Sequence, residues 1–410
     1  MSRILKVGMI GGGLNSFMGD IHRKAIELSG CLDLVCGAFG STRNSSYETG
    51  KKLNLPTRRV YGIYRDMFRR ENMLSEKDRM DFVTIVAPNA MHYPISMSAL
   101  DARFPVFTEK PFTCNLDEAM NLKRKQQNNS VPYGISMVYP NYSILHRVRE
   151  TLLKGKFIGS LRKIVFQNSL GWMAPRLENA GNRQACWRTD PRRSGPVGCL
   201  ADLCAPCFYL AEWLTGLTIT DVCGDMAATV PGRILDDDCI VMTRFSNGLH
   251  GVFMASQVDT GSADGMVFKL IGDKGTLLWK ERTPNHLTFI HVDGTTELIR
   301  SKKAKDLAVD EELKKETGVI CPPTPFGNNA AYIHALAESY KAFAQYVTTL
   351  KAGKSYEKDP GFMTVDEGLR SVVFVDSMIK NMEEPPPDDA GNIPPQSKWT
   401  PIVIPEIREL

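Results

Sequence analysis

The sequence predicts an α/β protein of two domains, and three observations support this fold class. Over the first 140 residues, short apolar runs rich in β-branched residues alternate with helical patterns, which is typical of a parallel sheet flanked by helices. Later strands alternate in polarity and are separated by turn signals such as Ser246-Asn247-Gly248, which predicts a large open, mainly antiparallel sheet. A chain of 410 residues is also long enough for two hydrophobic cores.

Composition and charge argue against nucleic-acid and membrane partners. Hydrophobic residues make up 43% of the chain and charged residues 23%, and the formal net charge is only +4. No run of about 18 apolar residues occurs, and residues 4–10 predict a strand rather than a signal peptide. The 10 cysteines follow no disulfide spacing, and the C-x-x-C pair of Cys204 and Cys207 lacks the second pair that zinc requires. We therefore expect a cytoplasmic protein with no metal site.

The first strand, residues 5–10, leads into a glycine-rich turn, Gly11-Gly12-Gly13-Leu14-Asn15-Ser16, and then into a helix at residues 17–29. In dinucleotide-binding folds of the Rossmann type, such glycines let backbone N–H groups approach a pyrophosphate at the helix N-terminus. The pattern is G-x-G-x-x-S, because Ser16 replaces the third glycine. The expected cofactor-binding residues in this turn are Gly11, Gly13, Leu14, Asn15 and Ser16.

The end of the second strand, residues 32–39, bears on the choice between NAD and NADP. The acidic residue that would bind the ribose 2′-hydroxyl of NAD is missing, and Gly40-Ser41-Thr42-Arg43 follows the strand. Ser41, Thr42 and Arg43 could accept a 2′-phosphate, or they could form an ordinary loop with the arginine in solvent. We expect NAD or NADP as the cofactor, with a slight preference for NADP.

Residues 81–111 are the most informative stretch of the chain. A buried strand stops at Pro88, a polar turn and a helix over residues 95–102 follow, and a second strand over residues 105–108 ends on Glu109-Lys110-Pro111. In a right-handed crossover unit of this kind, both A-P-N (87–89) and E-K-P lie at the carboxyl ends of parallel strands, where open α/β sheets bind ligands. Lys110 is therefore well placed for proton transfer beside a cofactor.

Periodicity and turn signals predict the other elements and the domain boundaries. The first domain spans residues 1–140, the second residues 141–382, and a Pro-rich extension residues 383–410. Residues 187–191 are predicted as a loop. Further helices are predicted over residues 47–53, 64–72, 116–127, 140–154, 201–215, 329–350 and 365–382, and further strands over residues 131–139, 160–169, 218–226, 238–245, 249–257, 266–272, 275–280 and 287–292.

These segments together resemble the glucose–fructose oxidoreductase / inositol dehydrogenase (Gfo/Idh/MocA) family over roughly residues 5–382. The resemblance implies a Rossmann domain followed by an α/β domain with an open sheet. It also implies hydride transfer between nicotinamide and a hydroxyl-bearing carbon of a sugar, sugar derivative or polyol, and a homo-oligomer, either dimer or tetramer. The motifs are the GGG turn with His22-Arg23, A-P-N-x-x-H (87–92), E-K-P (109–111), W-R-T-D-P (187–191), D-D-D (236–238), A-S-Q-V (255–258) and G-D-K-G-T-L-L-W (272–279).

The resemblance also assigns roles to residues. Lys110 matches the family's catalytic lysine, which hydrogen-bonds the reacting hydroxyl and assists proton transfer, and Asp202 matches an acid that faces the nicotinamide. Glu109 and Pro111 hold the strand end of the lysine. Besides the turn residues, the expected cofactor-binding residues are Pro88, Asn89, His92, Glu109 and Lys110, and the expected substrate residues are Tyr139, Trp187, Arg188 and Asp202.

One position departs from the family pattern. The family carries Asp-x-x-x-His on the helix that opens the second domain, whereas here Asp202 is followed by Pro206 in place of histidine. Proline cannot act as a base and disturbs a helix start. Three interpretations stay open: another base such as Lys110, Asp202, Tyr139 or Tyr209; a reaction that needs only the lysine; or a cofactor-binding protein that has lost dehydrogenase activity. A redox-neutral, NAD-dependent glycosidase is a further alternative.

Overall fold

The computed structural model describes residues 3–154, 158–262, 264–301, 330–356, 359–383 and 399–405. The chain divides into two compact units. The first comprises Met1–Asn141, Tyr332–Leu369 and Ile407–Leu410, and the second comprises Tyr142–Ala331 and Arg370–Glu406.

The helices and strands cover most of both units. The helices are α1 (Phe17–Ser29), α2 (Arg43–Lys52), α3 (Tyr64–Asn72), α4 (His92–Asp101), α5 (Leu116–Asn129), α6 (Ser143–Leu153), α7 (Arg183–Arg188), α8 (Pro191–Ser194), α9 (Ala205–Thr215), α10 (Ala330–Lys351) and α11 (Val365–Met382). The strands are β1 (Leu5–Gly11), β2 (Leu32–Ala38), β3 (Phe82–Val86), β4 (Val106–Thr108), β5 (Tyr133–Ile135), β6 (Leu161–Ser169), β7 (Ile219–Ala227), β8 (Asp238–Phe245), β9 (His250–Ser256), β10 (Gly265–Gly272), β11 (Gly275–Lys280), β12 (His286–His291), β13 (Thr296–Arg300) and β14 (Thr400–Pro401). In the described residues, no helix is both long and apolar enough to cross a membrane.

The first unit contains a five-stranded parallel sheet in the order β2-β1-β3-β4-β5. Beyond β2, a single parallel bridge joins Gly37 to Val60, where a further strand of a doubly wound sheet would lie. If the bridged segment at Val60 is counted as a sixth strand, the strand order is that of a Rossmann fold. The direction in which successive strands are added to the sheet reverses between β1 and β3. The predicted parallel sheet and Rossmann fold class are therefore confirmed, and ligands of such sheets bind at the carboxyl ends of these strands.

Residues 332–369, which the sequence assigns to the second domain, belong to the first unit. The physical reason is aromatic packing from α10. The ring of Tyr340 lies 4.9 Å from that of Phe107, and the ring of Phe343 lies 5.2 Å from that of Phe82 and 5.1 Å from that of Phe107. Because all four side chains are almost fully buried, α10 covers apolar residues of β3 and β4.

Several predicted elements begin or end elsewhere in the structure. Helix α2 begins at Arg43 instead of residue 47, because Thr42 and Ser45 form a reciprocal capping box. Helix α4 begins at His92 instead of residue 95, directly after a 3-10 turn. Strand β5 is limited to Tyr133–Ile135, and a 3-10 turn follows where the sequence predicts more strand. The predicted loop at residues 187–191 is instead mostly helical, in α7 and α8.

The second unit contains a nine-stranded sheet in the order β13-β12-β11-β10-β6-β9-β8-β7-β14. Among the described strands of this sheet, only the β6–β9 pair is parallel, so the predicted open and mainly antiparallel sheet is confirmed. Strand β8 shows how its two faces differ: Cys239 and Val241 are buried, whereas Ile240 and Met242 on the opposite face are 50% and 43% exposed. Strands β13 and β14 are not among the predicted strands.

The described part of the predicted Pro-rich extension lies at the edge of this sheet. Thr400–Pro401 pairs with β7, and the Ile402 N–H donates to the Thr220 carbonyl at 2.8 Å. The ring of Trp399 lies 3.9 Å from the guanidinium of Arg244. These contacts cover the β7 edge, whose backbone groups would otherwise be free to pair with another chain. Residues 384–398 and 406–410 of the extension lie outside the described residues.

Candidate functional site

The glycine-rich turn follows β1 directly and lies against the end of β3. Gly11 and Gly12 have φ of 78° and 61°, values that side-chain-bearing residues rarely adopt. The Gly12 N–H donates to the Val86 carbonyl at 2.9 Å, and a Cβ at Gly11 would lie only 2.1 Å from the same oxygen. The turn therefore requires glycine at these positions.

Helix α1 is held tightly against this turn. Ser16, in place of the third motif glycine, is the N-cap, and its hydroxyl accepts a hydrogen bond from the Gly19 N–H at 3.1 Å. A Cβ at Gly19 would lie 2.5 Å from the Gly12 carbonyl oxygen, so Gly19 provides the close approach that the third glycine usually allows. The positive end of the α1 dipole thus lies beside the turn, where a pyrophosphate would bind. Leu14 and Asn15 are exposed at this end.

The predicted NADP-selecting residues lie at the end of β2. Thr42 caps α2: its hydroxyl accepts from the Ser45 N–H at 3.2 Å, and the Ser45 hydroxyl accepts from the Thr42 N–H at 3.3 Å. The Thr42 hydroxyl therefore has a structural partner. Ser41 and Arg43 are exposed on either side of it, at the N-terminus of α2. In the described neighbourhood, the groups suited to a 2′-phosphate are Ser41, Arg43 and the helix end itself.

Glu109 and Lys110 follow β4 and point to different environments. The Glu109 N–H donates to the Ile85 carbonyl at 3.0 Å, which continues the pairing of β4 with β3 by one residue. The Glu109 residue is only 7% exposed, whereas Lys110 is half-buried. Lys110 is therefore more accessible than the residue that precedes it. The Lys110–Pro111 peptide bond is cis.

His92 connects the two loops that the sequence singles out. The ring is fully buried, with Nδ1 2.7 Å from the Pro111 carbonyl and Nε2 3.0 Å from the Ala87 carbonyl. The imidazole thus lies between the segment after β3 and the segment after β4. Burial lowers the pKa of His92, although the two carbonyl groups act in the opposite direction. The sequence predicts a cofactor contact for His92, and the structure places its ring nitrogens on protein carbonyls.

The stability of the protein is expected to fall as the pH drops below 6.5, and His92→Gln is expected to weaken that dependence. The folded His92 has a lowered pKa, so below the ordinary histidine pKa of 6.5 the unfolded chain binds more protons than the folded chain. Above that pH, His92 does not change the free energy of unfolding, because it is neutral in both the folded and the unfolded chain. Urea unfolding of wild type and His92→Gln at about pH 7.5 and 5.5 measures the pH dependence of each protein. An equal pH dependence in the two proteins would contradict the assignment.

A buried hydrogen-bonded chain lies behind Glu109 that the sequence does not predict. His22 on α1 has Nε2 2.8 Å from Glu109 Oε1 and Nδ1 2.6 Å from the Tyr340 hydroxyl. The Tyr340 hydroxyl lies 2.8 Å from Thr84 Oγ1. Burial alone raises the pKa of Glu109, but the hydrogen bond from His22 and the nearby charges of His22 and Lys110 outweigh it, so the pKa is lowered. Glu109 is thus an ionised carboxylate in the interior.

In the second unit, Asp202 and Arg188 form an ion pair, which brings together two residues that the sequence predicts. Arg188 Nε donates to Asp202 Oδ2 at 3.2 Å, and Gln257 Nε2 donates to the same oxygen at 3.1 Å. The guanidinium of Arg188 also lies 4.2 Å from the ring of Trp187 and 5.5 Å from that of Trp172. With two donors on Oδ2, Asp202 is better suited to orient neighbouring groups than to accept a proton. Trp172 and Gln257 are not among the predicted residues.

Pro206 is accommodated by an unusual backbone. Residues Leu200–Cys204, which include Asp202, form a π-helical turn, and α9 begins at Ala205. Pro206 therefore lies directly after the π-helical turn, and this wider turn accommodates a residue that has no N–H to donate. Asp236 fixes the start of the π-helical turn, since its carboxylate accepts from the Gly198 and Leu200 N–H groups at 2.5 and 2.7 Å. Burial raises the pKa of Asp236 to about 6 despite these bonds.

The other predicted residues have less distinctive surroundings. Pro88 and Asn89 begin the 3-10 turn after β3, and Asn89 is buried. Tyr139 is buried in the 3-10 turn after β5, and Tyr209 is buried on α9. Asp190 caps α8 through the Arg192 N–H at 3.1 Å. Among the described residues, no group of three or more His, Cys, Asp or Glu side chains is arranged to hold a metal ion.

Comparisons with known proteins agree with this arrangement. Residues 5–136 match the family described as an oxidoreductase family with an NAD-binding Rossmann fold, and residues 146–278 match the GFO/IDH/MocA C-terminal domain. The chain belongs to the Gfo/Idh/MocA family. As a member of this family it is an NAD-dependent oxidoreductase, and the predicted family, enzyme class and fold class are confirmed.

Several known proteins are similar to most of the chain. The uncharacterised oxidoreductase YfiI of Bacillus subtilis is 28% identical over 70% of this chain and 74% of its own. Levoglucosan dehydrogenase of Pseudarthrobacter phenanthrenivorans is 22% identical over 67% of this chain and 73% of its own. An inositol dehydrogenase homolog from Azotobacter vinelandii, solved with NAD⁺, has a TM-score of 0.80 at 24% identity and 98% coverage of both chains. At this identity the last comparison shows the fold.

Proposed function

We propose that this oxidoreductase transfers a hydride between nicotinamide and a carbinol carbon of a sugar, sugar derivative or polyol, with Lys110 as its catalytic residue. The observation that carries the proposal is the position of Lys110. It follows β4, at the same edge of the parallel sheet as the glycine-rich turn after β1. Because β3 alone separates β1 from β4, the two features lie two strand spacings apart, about 10 Å.

The residues at this edge fit a dinucleotide. A tight turn that admits no Cβ at Gly11, next to the N-terminus of α1, is suited to a pyrophosphate. Pro88 and Asn89 after β3 lie between that turn and Lys110 in the order of the strands. When bound, nicotinamide supplies the acceptor for the hydride that leaves the carbinol carbon. The protein's own task is then to orient the substrate and move the hydroxyl proton.

Lys110 performs that task in the proposed mechanism. Its amine hydrogen-bonds the reacting hydroxyl and takes the hydroxyl proton as the carbinol C–H bond breaks, so that a carbonyl group forms. In the reverse direction the ammonium returns the proton. With Pro206 in place of the family histidine and two donors on Asp202 Oδ2, Lys110 is the group that we assign to proton transfer, and Asp202 has an orienting role.

The second unit supplies groups that suit a polyhydroxylated substrate. Arg188 lies close to two indole rings, and Arg188 and Gln257 together hold the Asp202 carboxylate. Aromatic faces pack on sugar rings, and carboxylate and guanidinium groups hydrogen-bond vicinal hydroxyls. Similar proteins support the same class: one solved structure contains NADH and myo-inositol, and another contains NADH and levoglucosan.

A substrate screen tests the proposal. The purified protein would be incubated with NAD or NADP and each member of a panel of sugars, anhydrosugars and polyols, and the absorbance of reduced nicotinamide would be followed. Accumulation of reduced cofactor together with a carbonyl product is expected for at least one panel member. Glycoside cleavage without accumulating reduced cofactor would instead identify the redox-neutral glycosidase. Tight cofactor binding without turnover of any panel member or glycoside would contradict both enzymatic assignments.

We also propose that the protein accepts NADP as well as NAD, with a slight preference for NADP. Arg43→Ala is therefore expected to raise the KM for NADP by about 10-fold or more while changing that for NAD by less than about threefold. The reason is that Arg43 begins α2 at the end of β2, where no acidic residue stands to repel a phosphate. Steady-state kinetics with both cofactors measure the effect. Arg58→Ala, which removes another exposed arginine of the first unit, is the matched control. Equal losses with NAD and NADP would contradict a phosphate contact.

A homo-oligomer is the third part of the proposal. Ile240 and Met242 are about half exposed on one face of the nine-stranded sheet, and they lie beside Met254 and Val252 of β9 on the same face. A contiguous apolar face of this kind is typical of an interface between subunits. We propose that it pairs with the same face of a second chain. Light scattering of the full chain measures its molecular mass in solution. A mass equal to one chain at micromolar concentration would contradict the proposed homo-oligomer.

For the cellular compartment we propose the cytoplasm. The described cysteines, which include Cys31, Cys114 and Cys223 with partial exposure, are all free thiols. Thiols in this state are typical of a reducing compartment. Fractionation of cells that express the full chain would test the location, and recovery in a secreted fraction would contradict it.

A further inference from the structure

We propose that His22 is a positioning residue for Lys110, because it binds the carboxylate of Glu109 inside the first unit and so fixes the residue that precedes the lysine. The inference rests on the proposed function, in which Lys110 moves the hydroxyl proton. His22 would touch neither substrate nor cofactor. Its side chain is fully buried, and both of its ring nitrogens have partners within the first unit.

The hydrogen bond between His22 and Glu109 has only one possible direction. An ionised Glu109 can only accept, so His22 Nε2 donates to it at 2.8 Å. The bond of 2.6 Å between Nδ1 and the Tyr340 hydroxyl can run in either direction, because Nδ1 accepts in a neutral ring and donates in a protonated one. The bond of 2.8 Å between the Tyr340 and Thr84 hydroxyls can likewise run in either direction. In both cases Nε2 carries the proton that Glu109 accepts.

This chain is not a route for protons. It ends at the Thr84 hydroxyl, which lies on β3 and is fully buried, as is the Tyr340 side chain. In the described part of the chain, Tyr340 and Thr84 are both shielded from solvent, so a proton that passed along them from Glu109 would not reach water there. Its effect on the reaction must therefore come through the position and charge of Glu109.

The geometry shows how that effect reaches Lys110. The Glu109 N–H is paired with the Ile85 carbonyl, and its carboxylate is held by His22, so the backbone at residue 109 is fixed from both sides. Lys110 is the next residue, and its charge already lowers the pKa of Glu109, so the two side chains are electrostatically linked. Without the His22 donor, the buried carboxylate would turn towards the lysine ammonium, since an unpaired buried charge is costly.

His22 also connects the lysine to the cofactor turn. It lies on α1, whose first turn packs on Gly12 through Gly19, and the neighbouring Arg23 guanidinium donates to the Gly12 carbonyl. One helix therefore contacts the glycine-rich turn at its start and Glu109 one turn later. A single rigid element sets the position of both parts of the proposed active centre in the first unit.

Two substitutions at His22 separate positioning from general stability. In His22→Gln the side-chain amide can occupy the place of Nε2 and still donate to Glu109, but it has no group beside Tyr340. In His22→Asn the shorter amide can occupy the place of Nδ1 beside Tyr340, but it has no donor for Glu109. His22→Asn loses the bond to the Glu109 carboxylate and His22→Gln loses the bond to the neutral Tyr340 hydroxyl, so the larger loss of thermal stability is expected in His22→Asn. Tyr340→Phe, which removes only the outer hydroxyl, serves as a further control.

The kinetic result distinguishes the two variants. We expect His22→Asn to lower kcat by about 10- to 100-fold with KM for the substrate changed by less than about threefold, and His22→Gln and Tyr340→Phe to retain kcat within about threefold. A purely structural role would lower kcat in both His22 variants in proportion to their loss of stability. Equal kcat in His22→Asn and His22→Gln would overturn the proposal.

A second measurement does not depend on turnover. The rate at which trinitrobenzenesulfonate labels Lys110, followed by peptide mass spectrometry, reports the surroundings of its amine. We expect the rate in His22→Asn to differ from wild type by about threefold or more and the rate in His22→Gln to match wild type. Identical labelling in all three proteins would overturn the proposal. If no sugar or polyol is turned over, the proposed function fails, and the labelling rates still decide the role of His22.

Discussion

Lys110→Met is expected to lower kcat by about 10³-fold or more while leaving the affinity for the nicotinamide cofactor within about threefold. General acid–base groups contribute about 10²- to 10⁴-fold to rate, and neither Pro206 nor the doubly hydrogen-bonded Asp202 offers an alternative base. Methionine keeps the apolar stem of the half-buried lysine, so the strand end is expected to keep its structure. Steady-state kinetics and cofactor titration of the two proteins measure the effect.

Two controls sharpen the test of Lys110. Lys77→Met removes an exposed lysine from the same unit and should leave kcat unchanged. Lys110→Arg keeps the positive charge but replaces a compact amine by a guanidinium that does not lose its proton in proteins. A strongly reduced kcat in Lys110→Arg is expected if the residue transfers a proton, and a retained kcat would indicate that only its charge matters. A kcat of Lys110→Met close to wild type would contradict the assignment altogether.

Gly19→Ala is expected to weaken cofactor binding by about 10-fold or more and to destabilise the protein by about 1–3 kcal/mol. This loss of stability is opposite to the usual effect of the substitution, because replacing glycine by alanine inside a helix normally stabilises it by about 0.5–1 kcal/mol. Here the added Cβ would lie 2.5 to 2.6 Å from the oxygen, carbon and Cα of Gly12. Helix α1 would have to move away from the turn, and with it the helix N-terminus that the pyrophosphate needs. Isothermal titration with NAD and NADP and urea unfolding measure both effects.

Gly50→Ala is the matched control for Gly19→Ala. It places the same methyl group in a buried helical position of the same unit, 2.3 Å from a methyl group of Val60. We expect a loss of stability with cofactor affinity within about threefold of wild type. If Gly19→Ala binds both cofactors as tightly as wild type, α1 does not need its close contact with the turn.

The elements at the sheet edge could be predicted because their signals are local. A strand, glycine-rich turn and helix lie within the first 29 residues, and the helix Phe17–Ser29 was predictable at both ends. Its start is marked by Ser16, whose hydroxyl caps it, and its end by Gly30, which has a φ of 65°. The segments after β3 and β4 could also be predicted from the sequence, because a proline lies close behind the end of each strand.

The partners of these residues could not be predicted, because they depend on tertiary contacts. His22 and Tyr340 are separated by 318 positions, and nothing in either local sequence indicates that they share a hydrogen bond. The role of Gly19 had a weak signal, since glycine inside a helix is unfavourable without a packing reason. The π-helical turn at Asp202 had only the indirect signal of Pro206, which indicates a helix break without giving its form.

In the second unit, too, some elements could be predicted from the sequence and others could not. The alternation of polarity predicted the long strands, whereas β13 and β14 were missed because both are short and lie at the two edges of the sheet. The two-residue strand Thr400–Pro401 is defined by its pairing with β7, which no local pattern reveals. The sequence predicts a loop at Trp187 and Arg188, but Asn182 caps α7 and both residues lie at its end.

Transfer of an isotopic label tests the central claim most directly. A sugar or polyol that the screen identifies would be deuterated at its carbinol carbons, and the reduced cofactor would be analysed by mass spectrometry after reaction with wild type and with Lys110→Met. We predict one deuterium in the nicotinamide ring with wild type, a slower reaction with the deuterated substrate, and no detectable labelled cofactor with Lys110→Met over the same time. Labelled cofactor formed at equal rates by both proteins would contradict the role of Lys110, and reduced cofactor without deuterium would contradict direct hydride transfer from the substrate.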